Sequence, residues 1–169
     1  MIDWLELLKE QHEIQSDGAK DIRLLLGEPA SAADISNLET NFRTTLPAEF
    51  HSFYSQYNGA GATYQKKTGD KEDWLFLPAE RIKLLSQLDD DWSSELHRSA
   101  AEQLLVFIDL GTGDCGGYQL DGNGRIDTGS ICFFCHERVN FEPNQPPEEF
   151  IINLGYGIEG LLKDHEWNW

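Results

Sequence analysis

The sequence predicts one α+β domain over residues 1–169, with a central, mainly antiparallel sheet flanked by N- and C-terminal helices. Apolar residues recur at helical spacing in the first third of the chain and again near its end. Between these regions, short apolar runs alternate with Gly-rich turns, which is typical of an antiparallel meander. The 169 residues show no internal repeat and no dividing linker, and they suffice for one domain with a substantial core.

The first two predicted helices are amphipathic. One presents a stripe of Ile2, Leu5 and Leu8, with His12 as a further candidate, at three- and four-residue spacing. The other begins near Ser31, and its apolar face consists of Ile35, Leu38 and Phe42.

A third helix is predicted within LPAEFHSFYSQYNG (46–59). Pro47 suits a first helical turn, and the pair Asn58-Gly59 supplies a left-handed stop. Between them, aromatic residues repeat at helical spacing: Phe50, Phe53 or Tyr54, and Tyr57.

The middle of the chain contains the predicted strands. Short apolar runs bounded by turn residues indicate strands at ATY (62–64), WLFL (74–77), LLVFIDL (104–110), GYQL (117–120) and SICFFCHE (130–137). Two more helices are expected. Residues 78–103 carry a stripe of Ile82, Leu85 and Leu88, and Glu148–Lys163 follows the break at PNQPP (143–147).

Charge and composition narrow the classes of function. The net charge of −17 is spread over the whole chain, so it repels phosphate backbones and anionic lipid and attracts basic proteins. We therefore expect no nucleic-acid or membrane partner. That the charge serves only solubility stays an open alternative.

Location follows from the absence of an export signal. No uninterrupted apolar run is long enough for a signal peptide or a membrane span. Three cysteines, an odd number, then indicate reduced thiols, so a cytoplasmic protein is expected.

Two Gly-rich segments resemble ligand-binding loops. GTGDCG (111–116) matches G-x-G-x-x-G, but strand and turn follow where a dinucleotide loop needs a helix, and Asp114 stands where phosphates should lie. DGNGRID (121–127) imitates a calcium loop, yet the positions of a ligand, a glycine and a glutamate are held by Arg125, Ile126 and Cys132. Both segments are predicted to be turns between strands.

CFFCH (132–136) matches haem-attachment and partial zinc-site patterns. On a strand, Cys132 and Cys135 would point to opposite faces, and Cys115 could join them only through an unusual bend. We therefore assign no catalytic, cofactor-binding or metal-binding residue. A metal- or thiol-dependent enzyme using these cysteines and His136 remains the third hypothesis.

Three segments in order resemble the SUKH superfamily, the Smi/Knr-like proteins named after a fungal cell-wall assembly regulator. They are ISNLETNFRTTLPAEFHSFYSQYNG (35–59), FIDLGTGDCGGYQLD (107–121) and FFCHE (133–137). The resemblance covers about residues 30–137, with a helix on either side. It implies an α+β fold in which the matching residues mainly hold the structure, namely Leu46, Pro47, Asn58, Gly59, Gly113, Asp114 and Tyr118.

The resemblance also implies a function. Bacterial members of the superfamily are largely known or inferred immunity proteins, which bind and neutralise toxins delivered between competing cells. The leading hypothesis is therefore a non-enzymatic protein-binding module that occludes a toxin, and the acidity favours a basic toxin such as a nuclease. The second hypothesis is a regulatory or scaffolding protein of the Smi/Knr cell-wall type. Both a monomer and a homodimer are compatible with the sequence.

The partner-binding surface is predicted on the loops around one partly open face of the sheet. Carboxylates beside aromatic groups suit a basic partner, because aromatic anchors provide buried area and acids provide selection. The residues that meet this description are Trp74, Asp89, Asp90, Asp91, Trp92, Asp121, His136, Glu137 and Glu142.

Overall fold

An antiparallel sheet forms the centre of the computed structural model, which describes residues 2–16, 21–65, 69–88, 92, 94–140 and 142–164. Within those residues the sheet has eight strands: β1 (Ile22–Leu26), β2 (Ala60–Tyr64), β3 (Lys71–Phe76), β4 (Lys83–Leu84), β5 (Leu104–Asp109), β6 (Cys115–Leu120), β7 (Ile126–Phe134) and β8 (Ile151–Asn153). Their order is β1-β2-β3-β5-β6-β7-β8, and every pairing is antiparallel. Strands β3 and β4 pair with successive parts of the same strand β5: Phe76 of β3 lies opposite Ile108, and Lys83 of β4 lies opposite Val106.

The helices surround this sheet. They are α1 (Trp4–Ser16), α2 (Ala32–Phe42), α3 (Ala48–Tyr54), α4 (Glu95–Ala101) and α5 (Ile158–Lys163). The first and last helices contact each other, and the side-chain amide of Gln11 donates a 2.7 Å hydrogen bond to the carbonyl oxygen of Leu162. The predicted α+β class, with an antiparallel sheet and terminal helices, is therefore confirmed.

The core explains the aromatic spacing in α3. Phe50, Phe53 and Tyr54 are fully buried, and the rings of Phe50 and Tyr54 stack with centroids 4.0 Å apart. Phe50 also meets Phe107 of β5 edge-on at 5.6 Å, while Phe53 meets Trp4 of α1 at 5.4 Å. Helix α3 thus joins the sheet to α1, through aromatic contacts that add to the burial of apolar area.

The predicted start of α2 is confirmed, and the predicted stop of α3 is not. The Ser31 hydroxyl accepts from the Asp34 N–H, and the Asp34 carboxylate accepts from the Ser31 N–H, which forms a capping box. Helix α3 ends at Tyr54, so Asn58-Gly59 does not terminate it. Gly59, at φ +90°, instead directly precedes β2. A Cβ added to Gly59 would lie 2.6 Å from the carbonyl oxygen of Phe76.

Two predicted helices were wrong, and one strand was missed. Residues 78–103 contain two 3₁₀ turns, the short β4 and the short α4 rather than one helix. Residues 148–163 contain a 3₁₀ turn, β8 and α5, interrupted at Gly155 with φ +78°. Strand β1 had not been predicted. Spacing of three residues fits a 3₁₀ turn as well as an α-helix, and short strands form only because a neighbouring strand pairs with them.

Candidate functional site

A corner of the sheet brings together two turns that are distant in sequence. In the pairing of β6 with β7, Cys115 lies opposite Phe134, so the residues just before β6 and just after β7 meet. There, one oxygen of Asp114 accepts hydrogen bonds from both the backbone N–H and the ring Nδ1 of His136, at 2.8 and 2.7 Å. The side chain of His136 remains 44% exposed.

The Gly-rich turn between β5 and β6 shapes this corner. Gly111 and Gly113 have φ of +69° and +97°, a left-handed conformation that glycine adopts readily, and the predicted turn between two strands is confirmed. An added Cβ on Gly113 would lie 3.2 Å from Nδ1 of His136. The turn is further held by Asp109, whose carboxylate accepts the Gly111 N–H at 2.8 Å.

A cavity of about 600 Å³ opens beside the same corner. Its floor is apolar, because the buried residues Leu77, Leu85, Val106 and Phe134 line it. Its exposed lining residues form the rim, and they include Leu88, Asp109 and His136 together with the half-buried Asp114. An apolar floor with a few polar groups at the rim is the usual composition of a ligand or anchor pocket.

Aromatic rings continue from the cavity into the core. The ring of Trp92 meets Phe134 edge-on with centroids 5.7 Å apart, and Phe134 meets Phe150 at 6.2 Å. The fully buried His97 lines the cavity and packs its ring on Phe150 at 5.1 Å. Ser94 fixes the start of α4 beneath this region by accepting the His97 N–H.

The structure brings some of the predicted site residues together. Trp92 and His136 line the cavity, and Glu137 is exposed in the turn His136–Arg138. Glu142 is also exposed, and it follows Val139, which lines the cavity. The predicted trio Asp89, Asp90 and Asp91 falls outside the described residues.

Other predicted residues lie elsewhere. Trp74 borders a separate pocket of about 120 Å³, which shares only Asp109 with the larger cavity. The indole Nε1 of Trp74 is buried and has no hydrogen-bond partner among the described residues. Asp121 follows the far end of β6, so a whole strand separates it from Asp114.

Asp121 stabilises the turn between β6 and β7 by accepting backbone hydrogen bonds. Its carboxylate accepts the N–H groups of Asn123 and Arg125, both at 2.8 Å. The backbone hydrogen bond from Arg125, followed by that from Asn123, holds the pKa of Asp121 below its usual value. The prediction that DGNGRID forms a hairpin turn is confirmed.

The cysteines are not poised as thiolates. Burial, reinforced by the charges of Asp109 and Asp114, raises the pKa of Cys115 to about 12. Burial also raises the pKa of Cys132 and of Cys135. Cys115 pairs across the sheet with Phe134, next to Cys135, whereas Cys132 pairs with Gly117. Across the described part of the chain, no three His, Cys, Asp or Glu side chains form a group that could hold a metal ion.

Sequence reasoning did not include two carboxylates that line the cavity, Asp109 and Asp114. Asp114 had been assigned to holding the fold, and Asp109 had not been singled out. Asp109 ends β5 and Asp114 precedes β6, so the Gly-rich hairpin places both beside the cavity. The available signal was an acid on each side of a turn that contains two glycines.

Comparison with known proteins identifies a family. A family model described as "SMI1 / KNR4 family (SUKH-1)" matches residues 29–152, a range that includes every residue lining the cavity. A search of curated proteins found no match. Among the described residues, no helix combines the length and apolar character that crossing a membrane requires.

Proposed function

Since the chain belongs to the SMI1/KNR4 family (SUKH-1), we propose that it is a non-enzymatic protein-binding module that acts as an immunity protein. In this role it binds a cognate toxin of an intercellular-competition system and blocks its activity. The family supports protein binding in general, and the features of this chain support the more specific role. The partner is expected to be a basic toxin domain, such as a nuclease.

The observation that carries the proposal is the cavity at the Asp114–His136 corner. It combines an apolar floor with carboxylates at the rim, in a chain whose net charge is −17. Protein interfaces gain most of their affinity from a few apolar or aromatic anchors in desolvated pockets, while surrounding charges select the partner. A basic partner fits both features.

The chemistry of the site supports a binding role over a catalytic one. A catalytic cysteine needs a thiolate at neutral pH, whereas the raised pKa of Cys115 keeps its thiol protonated. The hydrogen-bonding oxygen of Asp114 already accepts from two groups of His136, one of them a backbone N–H, so this pair fastens one turn to another. A cytoplasmic location is part of the same proposal, because the toxin would be met inside the cell.

The proposal is tested by isolating the partner from the native organism with the purified protein as bait. We expect a basic polypeptide that arrests growth when expressed alone and is tolerated when the two proteins are expressed together. A partner with no toxic activity would contradict the immunity role and favour the regulatory or scaffolding alternative.

Matched charge reversals test the binding face. Glu137→Lys with Glu142→Lys changes two exposed acids of segment 136–142, which carries the cavity-lining His136 and Val139, and Glu10→Lys with Glu13→Lys makes the same change in charge on α1. We expect the first pair to weaken toxin binding at least tenfold more than the second, because only the first places like charges against the partner. Calorimetric titration measures both, and equal losses would remove this face from the proposal.

A further inference from the structure

The cavity at the Asp114–His136 corner is large enough to admit a large side chain of a partner together with part of its flanking chain. Its volume of about 600 Å³ lies within the range of roughly 300–1,000 Å³ found for ligand pockets. At its floor, Val106 is 1% exposed and Leu85 is 3% exposed. A side chain that enters is therefore surrounded by apolar groups.

The rim favours an aromatic occupant. Leu88, at the rim, is 50% exposed and so adds apolar surface at the mouth of the cavity. Trp92 is half-buried, and its ring already meets Phe134 edge-on. An incoming ring could continue this edge-to-face packing, which is the preferred geometry of aromatic pairs.

The charges at the rim select what flanks that ring. Asp109 and Asp114 line the cavity, and Glu137 stands in the adjoining turn. Arg138 follows Glu137, but carboxylates outnumber this guanidinium at the corner, and the chain as a whole carries −17. Lysine or arginine beside the inserted ring would gain from these charges, whereas glutamate or aspartate would be repelled.

We propose that this cavity receives one aromatic side chain from a basic segment of the partner, with a lysine or arginine on each side of that residue. The inference rests on the proposed function in taking a protein as partner, and it adds the chemistry that the partner presents. The ring fills the apolar cavity, and the flanking cations lie against Asp109 and Asp114.

Short peptides test the inference without the natural partner. The probe is the blocked peptide acetyl-Gly-Lys-Phe-Lys-Gly-amide, titrated to millimolar concentration at low salt. The readout is the NMR shift of the Trp92 indole and of the Gly113 and Val139 amides. We expect saturable shifts at these positions, at least tenfold weaker binding when alanine replaces phenylalanine, and no binding when glutamate replaces both lysines.

Variants of the protein locate the binding. Val139→Trp adds a ring at the cavity lining and should weaken binding of the phenylalanine peptide at least tenfold. Asp109→Asn keeps an oxygen for the Gly111 N–H but removes a charge, so a loss of about two- to fivefold is expected. Glu10→Gln on α1 is the control and should bind as the wild type does. Should Val139→Trp fail to fold, Leu88→Ser at the exposed rim replaces it, with a smaller loss expected.

The results separate this inference from the proposed function. Equal binding of the phenylalanine and alanine peptides, no shifts at the cavity, or full binding by the cavity variants would overturn it. A toxin that binds the Val139→Trp protein as tightly as wild type would also overturn it, yet leave the immunity role intact. Peptide binding with no toxic partner would support the cavity inference and contradict the immunity role.

Discussion

Gly117 on β6 lies directly against β5, and an added Cβ would sit 1.8 Å from the carbonyl oxygen of Leu105. Gly113 is restricted differently, by a φ of +97° and by the ring of His136. A sequence shows both as glycines in a Gly-rich segment. Only the register of the strands shows that Gly117 permits the close approach of two backbones and that Gly113 shapes the turn. The roles of single residues within this hairpin could therefore be predicted only in part.

Gly117→Ala should destabilise the protein by about 1–3 kcal/mol or more, because β5 and β6 must move apart to admit the methyl group. The control is Gly122→Ala, since an added Cβ on Gly122 meets no atom within 4 Å. It should change the free energy of unfolding by no more than about 0.5 kcal/mol. Urea denaturation measures both, and similar stabilities for the two variants would contradict the close approach of these strands.

Among the elements, those with local signals were predictable. Helix α2 is capped at Ser31 by a capping box that needs only residues 31–34. Helix α3 follows Pro47, and its aromatic residues recur at helical spacing. Strands β4 and β8 have only two and three residues, too few to show an alternation, and IRLLL in β1 does not alternate apolar with polar residues. Strands β4 and β8 were therefore assigned to predicted helices, and β1 was left unassigned.

The capping box of α2 should give stability a dependence on pH. Hydrogen bonds from the Ser31 side chain and then from its backbone N–H lower the pKa of Asp34 in the folded protein. A lowered pKa contributes stability that is fully present above the unfolded value of about 3.9 and is lost as pH falls through the folded value.

We therefore expect Asp34→Asn to be less stable than wild type at pH 7, with the difference shrinking as the pH falls below about 4. Thermal unfolding of both proteins between pH 7 and pH 2 measures this. Asn37 is exposed on the same helix, so Asn37→Asp serves as a control that should not reproduce the effect. A stability difference that is constant with pH would show that the Asp34 charge does not support the cap.

At the scale of the whole molecule, the cavity is a product of the topology. Leu77 follows β3, Leu85 begins a 3₁₀ turn, Val106 lies on β5 and Phe134 ends β7, so four separate parts of the chain form its floor. The sequence placed Trp92 and His136 among the candidate residues because loops with carboxylates beside aromatic groups suit a basic partner. It could not show that they share a cavity with Asp109 and Asp114, because that depends on strand order and register.

The charge of the whole molecule should control how fast the partner arrives. With −17 on the chain, the field reaches a basic toxin well before contact, and salt shortens its range from roughly 30 Å at 0.01 M to about 10 Å at 0.1 M. We expect the association rate constant to fall at least tenfold over this range of salt, with little change in the dissociation rate constant. Stopped-flow mixing with the labelled toxin measures both.

The two charge-reversed pairs distinguish steering from contact. Glu10→Lys with Glu13→Lys and Glu137→Lys with Glu142→Lys each change the net charge equally, so both should slow association at low salt. Only the pair near the cavity should also speed dissociation, because it alone alters groups that the bound toxin touches. An association rate that is indifferent to salt would remove steering as the role of the acidic surface, and solubility would be left as its explanation.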